Sequence, residues 1–249
     1  MSDIITGRNP VLEALRAGHP VHKILLARNL PRHSGIAEIL HLAKEQRIPV
    51  EYVPVPTIQQ ETGGAAHQGV LAYAAARAYQ SLDDLLSISR EKNEPAFYAV
   101  LDGVEDPQNL GAIVRTAEAT GAHGIIVRAR RAVGLTPALA RASAGAIEYV
   151  PVARVANIAQ AISTLQKENI WVVGIDPSGQ TDYTEIDFAP PTALVIGGEG
   201  QGVSALVRQR CDTLARIPMC GKISSLNASV AAALALYEVF RQRRGKLVP

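Results

Sequence analysis

Four segments between residues 96 and 198 are apolar almost throughout: AFYAVLDG, GIIVRA, IWVVGID and TALVIGG. A strand with one wet face alternates apolar and polar residues. These do not alternate, so each is expected to be buried on both faces. Segments of helical pattern lie between them, and that alternation predicts an α/β fold with a parallel sheet covered on both sides. Ligands of such sheets bind beyond the carboxyl ends of the strands. Four loops therefore carry the interest: DGVEDPQNLG, RARRAVGLTP, GGEGQGV and IPMCGKISSLN.

Residues 1–78 read as a smaller α/β unit. NPVLEALRAG is a short helix, with Asn9 as N-cap, Pro10 at its first position and Gly18 at its end. VHKILLA and VEYV are strand-like, SGIAEILHLAKEQR is an amphipathic helix, PTIQQET a further short helix, and HQGVLAYAA a strand. The polar stretch 79–95, which closes on Pro95, is read as a linker with a short helix, ahead of a second domain over 96–249.

Composition excludes several classes of protein. With 47% apolar and 19% charged residues, the 249-residue chain is globular and long enough for two domains. No window matches a membrane span, and MSDIITGRNP lacks the regions of a signal peptide, so a cytoplasmic location is expected. The two cysteines and six histidines show no metal-ligand spacing, and no metal is expected. The net charge of +2 conceals basic ends. Residues 1–50 hold seven Lys/Arg against four Asp/Glu, and 201–249 hold eight against two, which suits a polyanionic partner. Part of the second excess, Arg241, Arg243, Arg244 and Lys246, ends a helix whose dipole favours cations in any case.

GGEGQG lacks the GxGxxG interval of a dinucleotide fold, and Gly221-Lys222 is preceded by Arg216 where a phosphate loop needs glycine. What remains is backbone chemistry: glycines that allow a close approach to a ligand, or plain turns, which is the simpler reading of glycines alone. In DPQNLGAIVRTAEATGAHG, Asp106 is the N-cap and Pro107 the first helical residue. Asn109 then lies in the first turn, where it can simply cap, and Arg115 points about 120° away from it; its long guanidinium can still serve the same cleft or a neighbouring subunit, or form a surface ion pair with Glu118.

NLGAIVR, LVIGGEGQG and IPMCGKISSLNAS resemble, in order and spacing, the three motifs of the SpoU/TrmH family of RNA ribose 2′-O-methyltransferases in the SPOUT superfamily. The resemblance covers residues 96–243. IITGRNPVLEAL and HQGVLA extend it over nearly the whole chain, to the RlmB-type subgroup that methylates a guanosine in the peptidyl-transferase region of 23S rRNA. The resemblance implies a domain with a parallel sheet and a deep trefoil knot that binds S-adenosylmethionine, an N-terminal L30e/L7Ae-like RNA-binding domain, and a homodimer. The loop 217–229 would belong to the knot, and the helix from Ala228 to Arg244 would close it and supply a dimer face. Ala228 departs from the Val of many members, a small apolar exchange.

By position, Asn109, Arg115, Glu199, Ser225 and Asn227 match the family's invariant polar set. Arg115 is read first as a phosphate clamp and electrostatic stabiliser that places the nucleotide with Asn109, and second as the general base that the resemblance implies, assisted by the substrate phosphate, while Asn227 supports the cofactor loop and Ser225 caps and orients it. Gly197, Ile217 and Leu226 match its cofactor contacts, and Gly198, Gly202, Met219 and Gly221 are grouped with them. Candidate phosphate contacts are Arg8, Arg16, Lys23, Arg28 and Arg32, with Arg128, Arg130 and Arg131 after a strand of the second domain. The motifs leave the substrate open, so tRNA, another rRNA site, or RNA binding without catalysis remain alternatives.

Overall fold

The four apolar segments are parallel neighbours in one seven-stranded sheet. The computed structural model describes residues 2–30, 34–129, 134–200 and 202–244, and these fall into two units. The first contributes β1 (Ser2–Thr6), α1 (Arg8–Arg16), β2 (Val21–Ala27), α2 (Ser34–Glu45), β3 (Val50–Val53), α3 (Val55–Glu61) and β4 (Val70–Ala75). The second begins with α4 (Leu82–Lys92), β5 (Phe97–Asp102), α5 (Pro107–Ala119) and β6 (Gly124–Arg128). Residues 134–149 group with the first unit and hold α6 (Pro137–Ala142) and a 3-10 turn, Ala146–Glu148. The second unit resumes with β7 (Val152–Val155), α7 (Ile158–Lys167), β8 (Trp171–Ile175), β9 (Thr181–Asp182), β10 (Thr192–Gly197), α8 (Ala205–Arg210), β11 (Thr213–Arg216) and α9 (Ala228–Arg243).

In the first unit the sheet order is β1-β4-β2-β3, with β1 and β2 antiparallel to β4 and β3 parallel to β2. Ile5, Ile24, Leu26 and Ala72 point to one face and pack with Val11, Leu15 and Ile39 of α1 and α2. Leu25, Val53 and Leu71 point to the other face and pack with Ile58 of α3. This is the alternation of a sheet covered on both faces. The N-cap of α1 is Gly7, and Asn9 lies inside the helix. Gly7 has φ 98°, and its N–H donates to the Val70 carbonyl, so the chain turns from β1 straight into α1. Residues 134–149 are held here by buried polar contacts: Arg77 pairs with Glu148, and Arg141 donates to the Thr6 hydroxyl at 2.8 Å.

In the second unit the order is β7-β6-β5-β10-β8-β11-β9, and every pairing is parallel. The stretch read as a linker contributes to its core. Ser81 and Asp84 form a capping box that starts α4, and Leu85 and Leu86 are buried with Tyr98, Val100 and Ile126. Asp106 caps α5 by accepting from Asn109 N–H at 3.0 Å.

The end of α9 differs from the dipole reading. Arg243 is buried and donates to the carbonyls of Phe188 (2.8 Å), Pro95 (2.8 Å), Ala96 (3.2 Å) and Pro190 (2.5 Å). Burial pulls its guanidinium down to about 10, and it remains charged at neutral pH. It acts as a clamp between the last helix and the start of β5.

Candidate active site

The carboxyl ends of β5, β10, β8 and β11 lie side by side, and the loops leaving them line two adjoining cavities. The first, about 420 Å³, is bounded by Ile175–Ser178 after β8, Gly197–Gly200 after β10, Ile217 and Met219 after β11, and Ser224–Leu226 before α9. The second, about 480 Å³, is bounded by Asp102–Asp106 after β5, Asn109 and Leu110 of α5, and Val127 and Arg128 of β6. Gly198, Glu199, Gly202 and Ala228 line both.

The loop after β10 requires its glycines. A Cβ on Gly197 would stand 2.1 Å from the Gly202 carbonyl carbon, and one on Gly198 would stand 1.9 Å from the Gly103 carbonyl oxygen. The loop is closed by Gly202 N–H donating to Gly198 O at 3.1 Å, and anchored by Gly198 N–H donating to Asp102 O at 2.9 Å. Buried Asp102 adds a side-chain tie, accepting from Ser204 N–H at 2.9 Å.

Three of the polar residues meet between the two cavities. Asn227 is the N-cap of α9, and its Oδ1 accepts from Ser229 N–H (2.9 Å), Val230 N–H (3.3 Å) and the Ser229 hydroxyl (2.6 Å). With the oxygen so engaged, Nδ2 turns outward and donates to Asn109 Oδ1 (2.9 Å) and Glu199 Oε1 (2.5 Å). Asn109 Nδ2 donates to the same Glu199 oxygen at 3.0 Å. Both amide orientations follow from these partners. Glu199 Oε1 thus receives two donors, and among the described residues its Oε2 receives none. A carboxylate held in this way can accept a hydrogen bond from a ligand hydroxyl.

Ser225 lines the first cavity but makes no side-chain hydrogen bond among the described residues; the side chain that orients Asn227 is Ser229. Gly197, Gly198, Gly202, Ile217, Met219 and Leu226 line the first cavity, and Gly221 does not. Arg115 is exposed on α5 and has no ion pair among the described residues, not even with Glu118. Of the basic candidates, Arg16 is paired with Glu13 (2.8 Å) and Glu38 (2.6 Å), and Lys23 with Glu51 (2.5 Å). Arg8 has no acidic partner among the described residues. Arg28 has none there either, and donates to the Tyr52 carbonyl at 3.4 Å. Arg128 stands exposed at the rim of the second cavity. Arg32, Arg130 and Arg131 lie outside the described residues.

Asp102, Asp176 and Ser229 are further polar residues that were not anticipated. Asp102 ends β5 and Asp176 directly follows β8, and an acid closing an apolar strand was the available signal. Among the described residues no group of three or more His, Cys, Asp or Glu is placed to hold a metal ion, and no helix is long and apolar enough to cross a membrane.

A parallel sheet with glycine loops at its strand ends and an Asn–Glu–Asn cluster between two cavities forms a site that can hold two ligands side by side. Residues 96–237 match the SpoU rRNA Methylase family, and residues 4–80 match the RNA 2′-O ribose methyltransferase substrate binding family. The chain belongs to the SpoU family of RNA methyltransferases. It is 48% identical over 241 residues to a Bacillus subtilis protein named as the TrmH family tRNA/rRNA methyltransferase YacO, spanning 97% of this chain and 96% of that one. Its fold is similar to the SpoU methyltransferase AviRb from Streptomyces viridochromogenes in complex with the cofactor AdoMet (TM-score 0.80, 30% identity, 98% and 91% of the two chains). It is also similar to an AdoMet-bound rRNA methyltransferase from Sinorhizobium meliloti (TM-score 0.78, 27% identity, 99% and 88%).

Proposed function

We propose that the protein transfers a methyl group from S-adenosylmethionine to the ribose 2′-hydroxyl of a guanosine in 23S rRNA, in the peptidyl-transferase region. The observation that carries the chemistry is the pair of cavities divided by Glu199, Asn109 and Asn227. The first fits the cofactor. Its volume suits a ligand of that size, and it combines apolar walls (Ile175, Ile196, Ile217, Leu226), backbone groups of glycine loops and one buried carboxylate, Asp176. When bound there, S-adenosylmethionine supplies an activated methyl group on a sulfonium.

The protein's task is then to align the acceptor and receive its proton. The second cavity holds the nucleotide. Glu199, facing both cavities, accepts the hydrogen bond of the attacking hydroxyl, and the two asparagines hold the carboxylate in position. A guanidinium stays protonated in a protein, so Arg115 serves as a phosphate clamp. The exposed apolar side chains Val230, Leu234 and Tyr237 of α9, beside Ala112 and Thr116 of α5, form the homodimer face in this reading. The loop 217–229 belongs to the knot implied by the family.

The first unit selects the RNA, with Arg8 and Arg28, which have no acidic partner among the described residues, as phosphate contacts, and Arg128 guiding the strand into the second cavity. Such contacts position a phosphate backbone without reading sequence. The matched substrate-binding family over residues 4–80 supports this, and the guanosine and the 23S site rest on the subgroup resemblance of the N-terminal segments. The reaction would take place in the cytoplasm.

The test is transfer of labelled methyl from S-adenosylmethionine to a transcript of the 23S peptidyl-transferase domain and, in parallel, to bulk tRNA, with mapping of alkali-resistant linkages. Label at one rRNA guanosine ribose is expected. Label on tRNA alone would keep the enzyme class and overturn the substrate.

A further inference from the structure

Asp176 has a side chain only 5% exposed and stands at the first position after β8, on the wall of the first cavity. Its backbone is fixed: N–H donates to Ala215 O at 3.0 Å, and its carbonyl accepts from Gly179 N–H at 3.0 Å. Its Oδ1 is filled by Ser178, which donates from N–H at 2.9 Å and from its hydroxyl at 2.6 Å. Among the described residues no hydrogen-bond donor is aligned on its Oδ2. The nearest cation is Arg208 Nε at 3.3 Å, but this N–H is not aligned on the carboxylate, and Nε is a buried atom without a hydrogen-bond partner. A buried guanidinium N–H left open beside a cavity is uncommon, because an unmet buried group costs its desolvation. Arg208 is itself held, donating through Nη2 to Val203 O at 3.1 Å.

Strand order suggests what comes to Oδ2. The order runs β5-β10-β8-β11, so β8 lies between the strand carrying Glu199 at its end and the strand carrying Ile217. On the reading of the first cavity as the cofactor pocket, the flat apolar adenine ring would take the β11 side, where Ile217, Met219 and Leu226 line the wall. The sulfonium must face the β10 side, because its methyl leaves past Glu199 into the second cavity. Neighbouring strands are about 4.8 Å apart. The part of the molecule between ring and sulfonium is the ribose, and it falls over β8. A carboxylate at a strand end is a natural acceptor for two vicinal hydroxyls.

We propose that Asp176 is a cofactor-binding residue whose Oδ2 accepts hydrogen bonds from the ribose hydroxyls of S-adenosylmethionine, with Ser178 holding the carboxylate in place. The proposal rests on the cofactor reading given above. It adds a side-chain contact to a pocket otherwise assigned to backbone groups, and it commits to the ribose in place of the α-amino group.

The experiment is calorimetric titration of the full chain with S-adenosylhomocysteine, its 2′-deoxy and 3′-deoxy forms, and the analogue lacking the α-amino group. Wild type and Asp176→Asn are compared; Asn keeps the volume and the acceptor for Ser178. The wild type should bind at least one deoxy form about 10- to 100-fold more weakly than the parent, the range for hydrogen bonds to a charged group. Asp176→Asn should bind the parent with a similar loss, and should no longer distinguish parent from deoxy form. The analogue without the amino group should lose equally on both proteins.

A wild type that binds both deoxy forms as tightly as the parent overturns the proposal, whatever the variant does. Undiminished discrimination by the variant, or a coupling to the amino group instead, also overturns it. A wild type that binds no S-adenosylhomocysteine overturns the cofactor reading, and this proposal with it.

Discussion

Asn227 donates from Nδ2 to Asn109 Oδ1 at 2.9 Å, across 118 positions of sequence, and both amides donate to one oxygen of Glu199. One residue caps the last helix and the other sits in the first turn of α5, so the two helix starts are joined over the carboxylate. Asn109→Ala and Asn227→Ala should each lower methyl transfer by about 10²-fold, as for loss of a positioned polar group. In unfolding experiments the pair should couple by about 0.5–3 kcal/mol. Strict additivity would show that the contact carries no energy. Glu199→Gln keeps the shape and should lower turnover by about 10²–10⁴-fold if the carboxylate receives the hydroxyl proton.

Arg115 is exposed and unpaired among the described residues, so its removal should leave folding within about 0.5 kcal/mol. Arg115→Ala should lose turnover far more than affinity for S-adenosylhomocysteine. An equal loss of both, measured by kinetics and calorimetry, would remove it from the nucleotide side.

A methyl on Gly198 would meet the Gly103 carbonyl oxygen at 1.9 Å. Backbone must move to relieve that, and the Gly198–Asp102 hydrogen bond moves with it. Gly198→Ala should therefore weaken cofactor binding at least about 10-fold and cost about 1–3 kcal/mol of stability, as overpacking does. Gly221→Ala has open space around it and should do neither.

His123 is buried, accepts Phe97 N–H on Nδ1 at 3.1 Å and donates from Nε2 to Glu94 at 3.0 Å. Burial lowers the imidazole below its usual 6.5, against the pull of Glu94. As pH falls the unfolded chain therefore takes up this proton first, so the stabilisation is complete above about 6.5 and is lost as pH descends from there to the folded value. Urea unfolding should show lower stability at pH 5 than at pH 7.5, and His123→Gln should flatten that slope. An unchanged slope would acquit His123.

Cys220 is exposed in the loop after β11, whereas burial pushes the Cys211 thiol up to about 12. At pH 8 an alkylating reagent should modify Cys220 alone. Saturating S-adenosylhomocysteine should slow that reaction several-fold, since Met219 and Ser224 on either side line the first cavity. An unaltered rate would place the ligand elsewhere.

The sequence by itself determined the sheet and the positions of its long strands, because a run such as AFYAVLDG can be buried only between two covered faces. It also determined the start of α5, where Asp106 and Pro107 act on their nearest neighbours. Local rules failed where the deciding partner was distant. The strands VARV, TD and TLAR are too short to show a period and exist because a longer strand lies beside each. Arg16 and Lys23 looked like free cations until folding set Glu38 and Glu51 against them, and Arg243 looked like a surface charge until four carbonyls from distant segments enclosed it. Ser225 and Ser229 are equally plausible supports for Asn227 by spacing; helix geometry selects Ser229, in the first turn of α9. Asp176 is one acid among twenty-three in the sequence. Only the packing of β8 between β10 and β11 turns its carboxylate into part of a cavity wall, because hydrogen-bond partners are chosen by distance in space and not along the chain.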